Sequence, residues 1–230
     1  MIKGILLDFN GVIIDDEPIQ MQAYKEILKG EGIDLTDEDY YSSLGMDDKT
    51  FVEAAYKRAG KAPETNKVLE ITQAKTEKWR EIIADDLPLF DGVENFLRKM
   101  SNEFALGIVS MAGRFEIELV LEKAGLTDCI STIVSANDVS ICKPDPECYR
   151  EGFRRLDLAR IAKSHLPMTH SECLVIEDSP PGIVAAKNAD LPTLGITNTV
   201  SAEELRAAGA DSVAANLNDW MPESVRRVFA

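Results

Sequence analysis

Short apolar segments of strand length recur along the chain at Ile2–Leu7, Ala105–Val109, Thr132–Ser135, Cys173–Ile176, Thr193–Ile196 and Ser212–Ala214. From Val93 onward they alternate with segments of helical periodicity: Val93–Lys99, Glu116–Ala124 (closed by Gly125), Pro146–Leu156, Pro181–Asn188 and Ala202–Ala208. This alternation predicts a parallel sheet with helices on both faces. One interval breaks the rhythm. Pro18–Leu28, Thr36–Leu44, Asp48–Gly60 and Pro63–Ile83 are all helical, and no convincing strand interrupts them. They form an insertion of roughly 70 residues after the first strand. The expected organisation is an α/β core from residues 1–16 and 87–230, with an all-helical domain at 17–86.

Open parallel sheets bind ligands in the crevice beyond the carboxyl ends of their strands. Three strand ends carry polar groups: Asp8, Ser110 and the pair Glu177-Asp178. Lys143-Pro144 sits in a loop between elements. Far apart in sequence, these four loci are expected to converge.

At 230 residues the chain can bury a full core, and 45% hydrophobic with 28% charged residues is ordinary soluble globular composition. The formal charge of -15, from 40 acidic against 25 basic residues, argues against nucleic acid and anionic membrane as partners, since both need a basic surface. An anionic substrate meets long-range repulsion unless a cation or local lysines offset it. Cys129, Cys142, Cys148 and Cys173 lack the CxxC spacing and density of a disulfide scaffold and read as free thiols. Ile2–Leu7 is too short for a signal-peptide core, and no segment approaches ~20 consecutive apolar residues. The expected setting is the cytoplasm, the expected partner a small molecule, and the expected state a monomer or weak homodimer.

Asp8 closes the first strand in Leu7-Asp8-Phe9-Asn10-Gly11. An aspartate there can cap a turn, but a carboxylate at the end of a buried strand is disfavoured unless paired or coordinated. Asp8 with Asp178 suits a hard cation bound by carboxylate and carbonyl oxygens, most naturally Mg²⁺. Asp8 also suits a nucleophile that takes up a phosphoryl group. Ser110 opens Ser-Met111-Ala-Gly-Arg before a helix, so it reads either as a helix N-cap or as part of a phosphate cradle. Met111 reads as a packing or pocket-wall residue. Lys143, held by the following proline, can neutralise a phosphoryl oxygen and Asp8 together, or sit as an exposed loop lysine. Glu177 reads as a supporting partner or a water-mediated ligand. Asp15, Asp16 and Glu17 form an acidic cluster near the hinge into the insertion, either solvated or placed to meet a substrate hydroxyl. His165 and His170 are not at zinc-ligand spacing, no GxSxG elbow is present, and the glycine-rich nucleotide signatures are absent.

With Asp8-Phe-Asn10-Gly11-Val12, Asp15-Asp16-Glu17-Pro18, Ser110, Lys143-Pro144-Asp-Pro146 and Glu177-Asp178-Ser-Pro-Pro-Gly182 in this order, the chain resembles the haloacid dehalogenase superfamily. The likeness spans essentially the whole chain. It is to the branch with a helical cap inserted after the first strand, that of beta-phosphoglucomutase-like and sugar-phosphate phosphatase-like proteins. The resemblance implies a three-layer, Rossmann-like core closed by the cap. It also implies Asp8 as nucleophile, and Ser110 and Lys143 as holders of the phosphoryl oxygens. Mg²⁺ is then bound by Asp8, Asp178 and the Asn10 carbonyl, with Glu177 in support. The cap loop containing Gly45 and Lys49 lies where relatives read the leaving group.

Two positions depart from that pattern. Phosphatases and mutases of the branch usually carry an aspartate two residues after the nucleophile, which protonates the leaving alcohol and then activates the acceptor. Here it is Asn10. A histidine three residues after the acidic Glu17 is replaced by Gln20. General acid/base catalysis contributes about 10²–10⁴-fold, so its unreplaced loss gives a slow enzyme or one halted after the first step. Three accounts of Asn10 compete: a substrate with a good leaving group, a proton from Asp15, Asp16 or a cap residue, or a change that traps substrate. The dehalogenase branch needs a halide-stabilising set that is not identifiable here, and the phosphonatase branch a cap lysine, for which Lys25, Lys29 and Lys49 are candidates. The expected function is Mg²⁺-dependent hydrolysis of a sugar or polyol phosphate through an aspartyl-phosphate. A phosphate-metabolite binding protein with impaired catalysis and a mutase-like phosphotransferase are the alternatives.

Overall fold

A computed structural model describes residues 1–218 and 220–230. Six parallel strands, β1 (Gly4–Leu7), β2 (Ala105–Val109), β3 (Thr132–Val134), β4 (Cys173–Glu177), β5 (Thr193–Ile196) and β6 (Ser212–Ala214), form one sheet in the order β3-β2-β1-β4-β5-β6. β1 is central, flanked by β2 and β4, so the first strand and the two after which Ser110 and Asp178 follow are neighbours.

The strands read as continuous apolar runs because both faces are covered. Alternate residues go to opposite cores. Ile5, Leu7, Ile108, Leu174 and Ile176 pack on one side with α5 (Val93–Ser101) and α6 (Arg114–Lys123). Leu6, Val109, Cys173 and Val175 pack on the other with α7 (Glu147–Ala162) and α8 (Pro180–Asn188). α9 (Ala202–Ala207) and α10 (Pro222–Val228) complete the helices of this part. The result is the three-layer α/β core expected from the alternation and from the resemblance.

The insertion folds as helices only: α1 (Glu17–Gly30), α2 (Asp37–Tyr41), α3 (Asp48–Arg58) and α4 (Thr65–Ile82). Tyr24, Leu28, Tyr40, Phe51, Val52, Ala55, Tyr56 and Ile71 give it an apolar cluster of its own. α4 reaches beyond that cluster. Trp79 and Ile83, just past the helix, are buried in the core of the sheet domain, and the Trp79 indole N–H donates to Asp16 Oδ2 at 2.6 Å.

Several boundaries move. α6 starts at Arg114, with Gly113 as its N-cap and the Glu116 carboxylate accepting from the Gly113 N–H, so Ser110 is not the cap of that helix. Ser110 instead accepts from the Ala112 N–H at 3.1 Å, inside the turn. α7 runs on to Ala162 because Arg160 turns inward while Leu158 and Ile161 face solvent, an inverted pattern that hides the helix from periodicity. α10 buries only Val225, so little in its sequence marks it. Among the described residues the cysteines are unpaired, and no helix is long and apolar enough to cross a membrane.

Trp79→Phe keeps an aromatic ring in the core but removes one donor to a buried carboxylate. The expected loss is about 1.5–3 kcal/mol, or about 2–4 °C of melting temperature for each kcal/mol in a chain of this size. Thermal unfolding followed by circular dichroism measures it.

Candidate active site

Backbone hydrogen bonds carry the ladder one residue past the strands: Asp8 N–H to Ile176 O at 2.9 Å, and Ser110 N–H to Val134 O at 3.0 Å. Both side chains are thereby fixed at the rim of the sheet. Between them and Asp178 runs a close approach that only glycine permits. Gly11 has φ +73°, and a Cβ there would lie 1.9 Å from Asp178 Oδ2. Asn198 secures the turn by donating to the Gly11 carbonyl at 2.8 Å.

Lys143 is the electrostatic centre. Its ammonium is buried, 3.1 Å from Asp8 Oδ1 and 2.6 Å from Glu177 Oε1. Glu177 is saturated. Tyr149 also donates to Oε1, and Oε2 accepts from the Asp178 and Ser179 N–H groups and the Ser179 hydroxyl. The fit is tight enough that a Cβ at Gly182 would lie 1.7 Å from Glu177 Oε1. Burial works to raise the Glu177 carboxyl, but Lys143 and these hydrogen bonds hold it below the usual range. Burial lowers the Lys143 ammonium, yet Asp8 and Glu177 outweigh it and keep the lysine charged.

Asp8 and Asp178 are not saturated. Burial raises Asp8 to about 7, against the pull of Lys143, and Glu177 adds to the rise. Asp178 is pushed well up by burial, then by Glu177 and Asp8. Asp8 Oδ1 faces Lys143 without a directed hydrogen bond. Ligand atoms of Asp8, Glu177 and Asp178 lie within 4.8 Å of one another. Three carboxylates around one lysine leave an excess of negative charge that a hard divalent cation would relieve, so this donor set fits Mg²⁺.

The Asn10 side chain lines the same cavity as Asp8 and links it to the hinge. Its amide donates to Asp16 Oδ1 at 2.8 Å, and its Oδ1 is 3.5 Å from the Ser110 hydroxyl. Asp16 is fully buried and takes its other hydrogen bonds from Gln20 and Trp79 at Oδ2. Gln20 thus spends its amide N–H on Asp16, while its buried Oε1 has no partner among the described residues and the residue lines the same cavity as Asp8. Burial raises the Asp16 carboxyl, opposed by the Asn10, Trp79 and Gln20 hydrogen bonds.

The cap closes over the site and shares one cavity with it. Asp8, Asn10, Glu17, Gly45, Ser110, Met111, Lys143 and Asp178 all line that cavity. Lys49 does not. It is exposed and borders an adjoining groove with Thr72, Gln73 and Asn137. The lysine that enters the cavity is Lys75, on α4, which sequence reasoning passed over. Buried, it bridges Asp48 of the cap at 2.8 Å and Glu116 of the core at 3.0 Å. Tyr24 donates to Asp48 and Tyr40 to Glu17. The one available signal was a lysine among the apolar positions of α4, since such a group is seldom buried without a partner.

A sequence profile of haloacid dehalogenase-like hydrolases matches residues 5–196. The chain belongs to this family. This haloacid dehalogenase-like hydrolase is 28% identical over 213 residues to validoxylamine A 7'-phosphate phosphatase of Streptomyces hygroscopicus subsp. limoneus, covering 90% of this chain and 92% of that one. It is 24% identical over 221 residues to hexitol phosphatase B of Escherichia coli (strain K12), covering 95% and 94%. The fold matches beta-phosphoglucomutase from Clostridium difficile with TM-score 0.85 at 21% identity, over 100% of this chain and 97% of that one. It also matches an aspartate-to-asparagine variant of CbbY from Rhodobacter sphaeroides, in complex with xylulose-(1,5)bisphosphate. There the TM-score is 0.80 at 23% identity, over 95% and 96%.

The cation fit has a pH signature. Asp8 releases its proton at an ordinary 3.8 when unfolded and at about 7 when folded. Between those values the native state holds more protons, so in metal-free protein this group's contribution to stability falls as pH rises. A cation competes with that proton. Added Mg²⁺ should therefore raise the melting temperature by several degrees at pH 8 and by much less at pH 5, and Asp178→Asn should abolish the difference. Differential scanning fluorimetry with and without chelator measures it.

Proposed function

We propose that this hydrolase is a Mg²⁺-dependent phosphatase acting on a small phosphomonoester, a sugar or polyol phosphate, through an aspartyl-phosphate at Asp8. One observation carries the reading: a carboxylate at the end of the central strand sits 3.1 Å from a buried lysine that Glu177 holds in place.

Asp8 supplies the nucleophilic oxygen. Attack on phosphorus forms the Asp8–phosphoryl bond as the bond to the substrate alcohol breaks. Lys143 neutralises a phosphoryl oxygen, and the Ser110 hydroxyl, exchanging its long contact to Asn10, holds another. Asp8, Asp178 and the Asn10 backbone carbonyl, with Glu177 behind them, would hold Mg²⁺, which would neutralise charge on the transferring group. Water then cleaves the acyl phosphate and releases inorganic phosphate. The leaving alcohol faces the cap, where Gly45, Met111 and Glu17 wall the cavity. The names of two relatives, validoxylamine A 7'-phosphate phosphatase and hexitol phosphatase B, support a small phosphomonoester, and the second a polyol phosphate.

Asn10 favours one further reading, a protein that binds a phosphorylated metabolite with impaired turnover. Its amide cannot carry a proton, and its contact with Asp16 constrains any repair. Asn10→Asp alone would set two carboxylates in hydrogen-bond contact. Asn10→Asp combined with Asp16→Asn exchanges donor and acceptor and keeps the bond. Phosphate release from a panel of sugar and polyol phosphates, with Mg²⁺, separates the readings. Turnover by this chain that falls at least about 10³-fold in Asp8→Asn, as for loss of a nucleophile, supports the enzyme. Turnover appearing only in the exchanged pair supports the binding protein.

A further inference from the structure

The reaction just described needs a group to protonate the leaving alcohol and then deprotonate the attacking water, and Asn10 cannot do either. The structure sorts the remaining acids. Asp15 is exposed and is not part of the cavity wall. Asp16, fully buried, has both oxygens occupied by Asn10, Gln20 and Trp79. On the cap side, Asp47 caps α3 through the Thr50 N–H, and Asp48 is held by Tyr24 and Lys75. On the core side, Glu116 is held by Lys75, Thr76 and the Gly113 N–H.

Glu17 differs. It is half-buried, lines the same cavity as Asp8, and has no cation partner among the described residues. The Tyr40 hydroxyl donates to Oε2 at 2.5 Å, and Oε1 has no hydrogen-bond partner among the described residues. Its place follows from the Asn10 contact. By tying residue 16 to residue 10, that hydrogen bond seats the start of α1 at the rim of the nucleophile strand, and Glu17 is the first residue of the helix.

We infer that Glu17 is the proton carrier of this enzyme, giving its proton to the substrate's alkoxide as the phosphoryl group moves to Asp8 and taking one from water in the second step. This rests on the phosphatase reading. In the first step the P–O(alcohol) bond breaks, the Asp8 Oδ–P bond forms, and the Glu17 proton goes to the departing oxygen. In the second, water oxygen bonds to phosphorus, its proton goes to Glu17, and Asp8 is freed. Glu17 ends protonated as it began, and no other reactant is required.

The surroundings suit the task. Burial, then the neighbouring Asp16, raise the Glu17 carboxyl to about 7, with Tyr40 opposing, Asp8 adding to the rise and Lys75 lowering it. Asp178 is the other charge coupled to Glu17. A carrier that titrates near neutrality exchanges protons efficiently in both directions. Tyr40, like Glu17, belongs to the helical insertion, so the pair is built within the cap and shares the cavity with Asp8.

The test compares an alkyl ester, glycerol phosphate, with p-nitrophenyl phosphate, whose leaving group departs without a proton, both with saturating Mg²⁺. In the first turnover, followed by rapid quench, Glu17→Gln should slow cleavage of the alkyl ester about 10²-fold or more while changing the rate of the p-nitrophenol burst less than about threefold, the pattern of a lost general acid. Steady-state phosphate release should fall for both esters, because both pass through the same hydrolysis of the Asp8–phosphoryl bond. A retained p-nitrophenol burst shows that the variant is folded. Equal losses in the first turnover of both esters, or none, overturn the inference. Tyr40→Phe is the independent check. Losing the hydrogen bond to the carboxylate should raise the apparent pKa of the limb near pH 7 in the alkyl-ester profile, and an unmoved limb counts against Glu17. Failure of the unsubstituted chain to turn over either ester sinks the phosphatase reading itself, a result distinct from intact turnover in Glu17→Gln.

Discussion

A single buried ammonium group organises this site. Lys143 lies between Asp8 and Glu177, with Glu177 fixed by two backbone N–H groups and two hydroxyls. Burying a charge is costly unless it is paired and hydrogen-bonded. The pairing here is deliberately unequal: Glu177 is fully satisfied, whereas Asp8 is left with an oxygen that faces the lysine but accepts no directed bond. On the proposed reading that imbalance suits a nucleophile: Asp8 keeps an oxygen free of directed bonds, the lysine keeps its proton, and the negative charge beside Asp178 suits a cation. The glycines follow from the same crowding, since Gly11 and Gly182 each stand where a Cβ would collide with one of these carboxylates.

The helical insertion is joined to the core by polar bonds as well as apolar packing. Lys75 links Asp48 to Glu116 across the gap, and Trp79 both fills the core and donates to Asp16. Asp16 in turn holds Asn10. Asn10 is thus engaged with the hinge through its amide nitrogen, while its Oδ1 faces the Ser110 hydroxyl in the shared cavity. Its side chain positions the start of α1, and so positions Glu17.

Much of this was legible in the sequence, for physical reasons. Strands buried on both faces must be apolar throughout, so the core strands stood out. Polar and charged residues at the ends of such strands are conspicuous because burial penalises them, and Asp8, Ser110 and Asp178 do meet in one cavity, joined there by the loop residue Lys143. What stayed hidden depends on side-chain direction across elements. Lys49 and Lys75 are both cap lysines, and only the packing of α4 against α1 and α3, with Glu116 of the core as partner, buries Lys75 while Lys49 stays exposed. Periodicity says nothing about which acids spend their oxygens on neighbours, so the acidic run Asp15-Asp16-Glu17 read as one cluster. In the fold those three residues are exposed, sealed and cavity-lining respectively.

The most direct test of the central claim is covalent. The protein is incubated with Mg²⁺ and p-nitrophenyl phosphate, quenched in acid, and digested for peptide mass spectrometry. The expected result is a phosphoryl group on the peptide carrying Asp8, absent from Asp8→Asn and lost on treatment with hydroxylamine. Phosphate release without any such adduct, persisting in Asp8→Asn, would contradict Asp8 as the nucleophile and with it the role given to Lys143.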